Sequence, residues 1–183
     1  MAMLVISCSL NPDSRSRVLA RAAYVAIEKM GIDAEFIDIR EYPMIPCDGG
    51  AAYRDPNACI LAQRIADADG ILVACPVYNY SVSSTLKNLI ELTGEAWREK
   101  VVAIMCAAGG PASYMAHMGI ANSLMMDFRS VIVPRFLHCS ELDVTPDRIA
   151  STETQRRLDE VVALFTRMAR ALSPLPEGAG PSA

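Results

Sequence analysis

Apolar and polar positions alternate along this chain in blocks of two kinds. MLVISCS (Met3 to Ser9), ILVAC (Ile71 to Cys75) and VVAIMCA (Val101 to Ala107) are short, almost wholly apolar runs. AEFIDI (Ala34 to Ile39) alternates with a period of two, and VIVPRFLHC (Val131 to Cys139) is a further apolar run interrupted by Pro134. Between them lie stretches with apolar residues at intervals of three and four, which predict helices. These cover Ser14 to Met30, Asn57 to Asp67, Ser84 to Thr93, Ser113 to Phe128 and Thr152 to Leu172. In the last of them Leu158, Val161, Val162, Phe165, Met168, Ala169 and Leu172 fall on one helical stripe.

Strands that are apolar on both faces belong to a parallel sheet covered by helices on each side. The pattern therefore predicts an α/β fold, a three-layer αβα sandwich around a five-stranded parallel sheet. Five such units suit the flavodoxin-like strand order 2-1-3-4-5. A length of 183 residues suits one domain, expected over residues 1–172. The closing SPLPEGAGPSA, residues 173–183, reads as a flexible tail.

Composition narrows the function classes. Formal net charge is −4 with charges of both signs scattered and no basic block, so nucleic acid is not an expected partner. The apolar runs are strand-sized, too short to cross a bilayer, and the N-terminus enters the first strand without a basic leader, so neither a membrane anchor nor a signal peptide is expected. Cys8, Cys47, Cys59, Cys75, Cys106 and Cys139 share no C-x-x-C spacing and the chain has only two histidines. That argues against a metal site or disulfide framework, and reads as small buried hydrophobes in a reducing cytoplasm.

In an open parallel sheet, ligands bind beyond the carboxyl ends of the strands, at the switch point between the first and third. Three loops meet there. The first, SLNPDSRSR (Ser9 to Arg17), offers hydroxyls, two arginines and a helix start, which suits a phosphate; Asp13 or Ser14 could equally just cap the helix. The second follows Cys75: Pro76 is expected to end the sheet hydrogen bonding, leaving Tyr78 and Asn79 to face a planar heterocycle. Those tyrosines could instead form a dimer contact or pack as loop core. The third, AAGGPAS (Ala107 to Ser113), carries Gly109 and Gly110, which allow close backbone approach or simply turn the chain. The chain has neither G-x-x-x-x-G-K-[ST] nor G-x-G-x-x-G at the first loop, which disfavours a nucleotide triphosphatase and the dinucleotide fingerprint. Elsewhere, Lys87 reads as a surface or interface residue ahead of a cofactor-phosphate contact, the methionines Met115, Met118, Met125 and Met126 as core or dimer packing ahead of a substrate-pocket lining, and Trp97 as an interface anchor or a strand-end cover. The long loop around Asp48, Gly49 and Gly50 is a candidate gate.

Pro76-Val77-Tyr78-Asn79-x-Ser81, followed by Leu86-Lys87-Asn88, resembles the P-E-Y-N-x-S-x-P-G-x-L-K-N signature of the NADPH-dependent FMN reductase family. Ser9 to Ser16 resembles that family's phosphate loop, and Gly109-Gly110 its third flavin loop. The resemblance implies FMN as cofactor, NADPH or NADH as electron donor, a small-molecule acceptor such as a free flavin, quinone or azo compound, and a homodimer or homotetramer. It also implies that Ser9, Asn11, Ser14, Arg15 and Ser16 hold the phosphate. Pro76, Val77, Tyr78, Asn79, Tyr80 and Ser81 would line the flavin ring, with Gly109 and Gly110 at its other side. Val77 stands where the family has an acidic residue, Ser83-Ser84 where it has Pro-Gly, and Tyr80 where a small residue is common. Hydride transfer from nicotinamide to flavin demands no side-chain acid or base, so no catalytic side chain is expected. The rival expectations are an electron-carrier flavodoxin and a protein of this fold that binds no flavin.

Overall fold

The computed structural model describes residues 2–172, so the expected tail at 173–183 lies outside the described residues. β1 (Ala2–Ser7), β2 (Asp33–Asp38), β3 (Gly70–Tyr78) and β5 (Val101–Ala107) pair in parallel, with β1 between β2 and β3, and β5 on the far side of β3. The expected fifth strand is split: β6 (Val131–Ile132) and β7 (Leu137–Cys139) each pair with β5, one after the other. Pro134, which has no N–H to give, sits in the gap. A two-residue strand, β4 (Ser81–Val82), folds back on β3. The described residues thus form seven strands rather than five. With the β4 hairpin set aside and the split strand counted once, the order is still 2-1-3-4-5.

Five helices cover the sheet: α1 (Arg15–Lys29), α2 (Pro56–Asp67), α3 (Ser84–Thr93), α4 (Met118–Phe128) and α5 (Thr152–Leu172). Because strand side chains alternate, Met3 and Val5 enter one core with Leu19 of α1 and Phe165 of α5. Leu4, Ile6 and Cys8 enter the other with Leu61 of α2, Leu89 of α3 and Leu124 of α4. α4 begins five residues later than its pattern predicts, because the chain first makes tight i to i+3 turns. Ala116 N–H donates to Ser113 O (2.9 Å) and Met118 N–H to Met115 O (3.0 Å). Trp97, read as an interface anchor or strand-end cover, is fully buried, its Nε1 donating to Thr93 Oγ1 at 2.8 Å.

At the start of β3, Gly70 lies directly under α5. A Cβ there would come within 2.9 Å of both Ala169 Cβ and the Phe165 ring. Gly70→Ala is therefore expected to lower stability by about 1–3 kcal/mol through overpacking, read as a lower urea midpoint. An unchanged midpoint would mean that α5 can move away freely.

Candidate functional site: three loops at the carboxyl edge

The loop after β1 is built around its own hydrogen bonds. Ser9 Oγ accepts from Asn11 N–H (3.3 Å), and Asn11 Oδ1 accepts from Asp13 N–H (2.9 Å). Ser14, not Asp13, caps α1: its Oγ accepts from Arg17 N–H at 3.2 Å and shares a 2.9 Å bond with Ser16 Oγ. Capping does not use up the site, since the N–H groups of Arg15 and Ser16 open the helix and have no partner within its ladder. Arg15 lies at the rim, 3.4 Å from Glu141.

Arg17 does something sequence reasoning missed. It turns beneath the loop and donates to the carbonyls of Pro12 (2.8 Å), Asn11 (2.9 Å) and Ser9 (3.4 Å). Its Nε also lies 2.9 Å from Asp38 Oδ2 at the end of β2, with side-chain exposures of 13% and 3%. Burial pushes the Asp38 carboxyl up, but the hydrogen bonds from Arg40 and the charges of Arg17 and Arg40 outweigh it and hold its pKa below the ordinary value. The sequence signal was a polar residue closing a strand whose last positions are buried.

The second loop departs from expectation. Pro76 does not end the sheet, for it pairs in register with Ala107, and β3 continues to Tyr78. A proline removes one N–H, not the pairing of its neighbours. Tyr78 then faces Ser81 across a two-residue turn in which Asn79 (φ 49°) and Tyr80 (φ 65°) are both left-handed. That is the backbone of a type I′ hairpin, and a left-handed non-glycine residue costs about 1–2 kcal/mol. Tyr78 and Tyr80 are 54% and 58% exposed, so neither packs as loop core. Ser83 anchors the hairpin's far side: its hydroxyl donates to Cys8 O (3.0 Å) and accepts from Leu86 N–H (3.4 Å), capping α3. The first two loops are thereby tied together.

In the third loop the chain bends at Gly109 and Gly110, but neither has a positive φ, so neither position needs glycine for its backbone conformation. A Cβ on either would meet no protein atom within 4 Å. Gly109 lines an open cleft of about 280 Å³, and a side chain there would enter space that the protein leaves free.

That cleft gathers most of the expected residues. Ser9, Asn11, Ser14, Arg15 and Ser16 line it from the first loop, Pro76, Val77 and Tyr78 from the second, and Gly109 from the third. Asn79, Tyr80, Ser81 and Gly110 are not in its lining and stand just beyond it along the same loops. Asp13, Ala107, Ala108 and Pro146 also line it and were not anticipated. Cys8, just past β1, and Cys75 and Cys106, near the carboxyl ends of β3 and β5, are buried close together, the last two with sulfurs 3.7 Å apart. The hydrogen bond to Cys106 and burial push the Cys75 thiol well up, and burial does the same at Cys8. All six cysteines are free; Cys59, unlike the buried-hydrophobe reading, is exposed. Lys87 pairs with Glu91 on the surface (2.7 Å). Asn88 pins the long loop after β2, accepting from Cys47 N–H (2.8 Å) and donating to Ile45 O (3.1 Å). No group of three or more metal-ligating side chains occurs among the described residues.

Comparison with known proteins agrees with this geometry. The family model described as NADPH-dependent FMN reductase matches residues 1–141. An FMN reductase (NADPH) of Pseudomonas putida is 30% identical over 115 residues, covering 62% of this chain and 58% of that protein. An NADPH:quinone oxidoreductase of Arabidopsis thaliana is 36% identical over 112 residues, covering 57% of each. The chain thus spans less than two thirds of the length of these curated relatives. Among solved structures, a flavoenzyme NAD(P)H:(acceptor) oxidoreductase from Paracoccus denitrificans superposes with a TM-score of 0.76 at 19% identity, covering 94% of this chain and 99% of that one. An archaeal flavodoxin superposes at 0.63 with 10% identity, covering 93% and 99%. Such identities speak for the fold alone; it is the match along residues 1–141, over the three loops that build the cleft, that places this chain in the NADPH-dependent FMN reductase family.

Proposed function

We propose that the protein is an FMN-binding NAD(P)H oxidoreductase that passes electrons to a small-molecule acceptor such as a free flavin, quinone or azo compound. The observation that carries this is the convergence of three chemically distinct loops on one cleft, with Gly109 leaving free the space a ligand would fill. The donor set fits FMN. The Ser9, Ser14 and Ser16 hydroxyls, the rim guanidinium of Arg15 and the opening N–H groups of α1 suit a phosphate dianion. The exposed Tyr78 ring and the Tyr80 backbone offer a wall for a planar ring, with Asn79 and Ser81 supplying polar groups at its edge. Bound FMN would supply a two-electron carrier that accepts hydride from a nicotinamide. The chain's part is to hold the phosphate, to fix the ring by the hairpin and the Ala107–Gly110 backbone, and to set N–H donors where negative charge gathers on reduction.

The same reading carries a homodimer or homotetramer, supported by Met125 and Met126 on α4, which are 43% and 75% exposed. It also carries a cytoplasmic location, supported by the free cysteines. Among the described residues no helix is long and apolar enough to cross a membrane. The test is an absorbance spectrum of the protein with FMN added, followed by NADPH under anaerobic conditions. A bound-flavin spectrum that bleaches is the expected result. Bound flavin that neither NADPH nor NADH bleaches would make the protein an electron carrier, and no flavin binding at saturation would remove the site assignment.

A further inference from the structure

The chain's two histidines lie 21 positions apart in sequence, yet both line one cavity of about 700 Å³. It neighbours the cleft through the third loop, where Gly109 lines the cleft and Pro111 and Tyr114 line the cavity. The His117 ring lies against Phe136 with centroids 3.8 Å apart, and His138 Nε2 is 3.5 Å from Ser113 Oγ. Met115 and Met118 add apolar surface.

The charges around this cavity are unevenly satisfied. Arg135 is paired with Glu160. Asp143 accepts from both the N–H and the hydroxyl of Ser140 at 2.8 Å. Arg157 of α5 is half-buried and makes no hydrogen bond or ion pair among the described residues. Its charge is felt nonetheless. Burial and then Arg157 push the His138 pKa down against the opposing pull of Asp143, while burial and then His138 push His117 down. Both rings are thus held toward the neutral form; Arg157 is the cavity's cation without an ion pair, and Asp143, hydrogen-bonded only by the neutral Ser140, is the carboxylate that shares the lining with it. A planar guanidinium with free donors matches a phosphate dianion in geometry as well as charge. The Phe136 and methionine surface suits a flat heterocycle.

We infer that this cavity receives the adenosine end of NADPH, with Arg157 meeting the 2′-phosphate, and so makes the protein discriminate NADPH from NADH. The inference rests on the oxidoreductase reading above and adds the residue that selects the donor. Cleft and cavity are lined by successive residues of one loop, Gly109 and then Pro111 and Tyr114, so the inferred dinucleotide would cross that loop.

The test is calorimetric titration of the purified protein with adenosine 2′,5′-bisphosphate and with 5′-AMP, in the native chain, Arg157→Gln and Arg157→Lys. The native chain should hold the bisphosphate on the order of tenfold more tightly than 5′-AMP. Arg157→Gln should lose that preference with 5′-AMP affinity unchanged, Arg157→Lys should restore part of it, and the ratio of KM for NADH and NADPH should follow. Equal affinities in the native chain, no binding of either nucleotide, or a preference that survives Arg157→Gln would each overturn the inference. So would displacement of the bisphosphate by inorganic phosphate at equal concentration, which marks a bare anion site. An FMN titration of the same samples separates the two readings: a protein that binds FMN but shows no 2′-phosphate preference sinks this inference alone.

Discussion

Replacing Arg17 with leucine is expected to lower the unfolding free energy by about 3 kcal/mol, the low end for breaking a buried ion pair by removing one partner. Leucine keeps the bulk and deletes the charge, leaving the Asp38 carboxylate buried with only the more exposed Arg40 beside it at 2.7 Å. It also frees the three carbonyls of the first loop that Arg17 gathers, so the loop proposed to hold the phosphate loses those ties. FMN affinity should fall with stability, by tenfold or more at the roughly 1.4 kcal/mol per decade of binding. Urea denaturation and a flavin titration read the two effects separately; a variant as stable as the native chain would show that Arg40 alone satisfies Asp38. The pair also sets an acid limb. Because the folded pKa of Asp38 lies below the ordinary 3.8, its contribution is complete above that pH and is lost as pH falls through the folded value. In Arg17→Leu the folded pKa of Asp38 should move up toward 3.8, so this limb should shrink.

Gly109→Val tests the cleft without touching the core. The backbone at Gly109 is not left-handed and a Cβ there meets no protein atom within 4 Å. The apoprotein should therefore unfold within about 0.5 kcal/mol of the native chain. The branched side chain projects into the space assigned to the flavin, and forcing a ligand past it costs about 3 kcal/mol by the measure of overpacked interiors. FMN affinity should drop about 100-fold. A variant that binds FMN normally would put the flavin elsewhere along the sheet edge, and the three-loop site would be abandoned.

Much of this fold is written in short-range pattern. The doubly apolar strands predict the parallel sheet, and the stripe from Leu158 to Leu172 predicts α5 end to end, because burial on a regular element leaves a regular trace. The signature around Pro76 to Asn88 located the second loop, but not its shape. Left-handed Asn79 and Tyr80 carry no glycine to announce a hairpin, and the break assigned to Pro76 was overridden by the pairing of β3 with β5. Arg17 was legible as a cation near a phosphate loop. Its inward turn depends on Asp38, which only the alignment of β1 with β2 brings near. The His117–His138 cavity is of the same kind, made by residues from three separate stretches, 111–118, 134–143 and Arg157, with no common spacing.

The gap at Pro134 has a consequence for the molecule in crowded solution. β6 and β7 form the outer border of the sheet on that side, and they offer two and three residues of pairing. A long, straight border strand of such apolar sequence would be a template for another chain's backbone, the first step toward aggregation. Interrupting it with a residue that cannot donate a hydrogen bond leaves no run long enough to be copied. Arg135 and Phe136, which follow the interruption, line the cavity, so the break that blunts the sheet's edge also shapes the wall of a pocket.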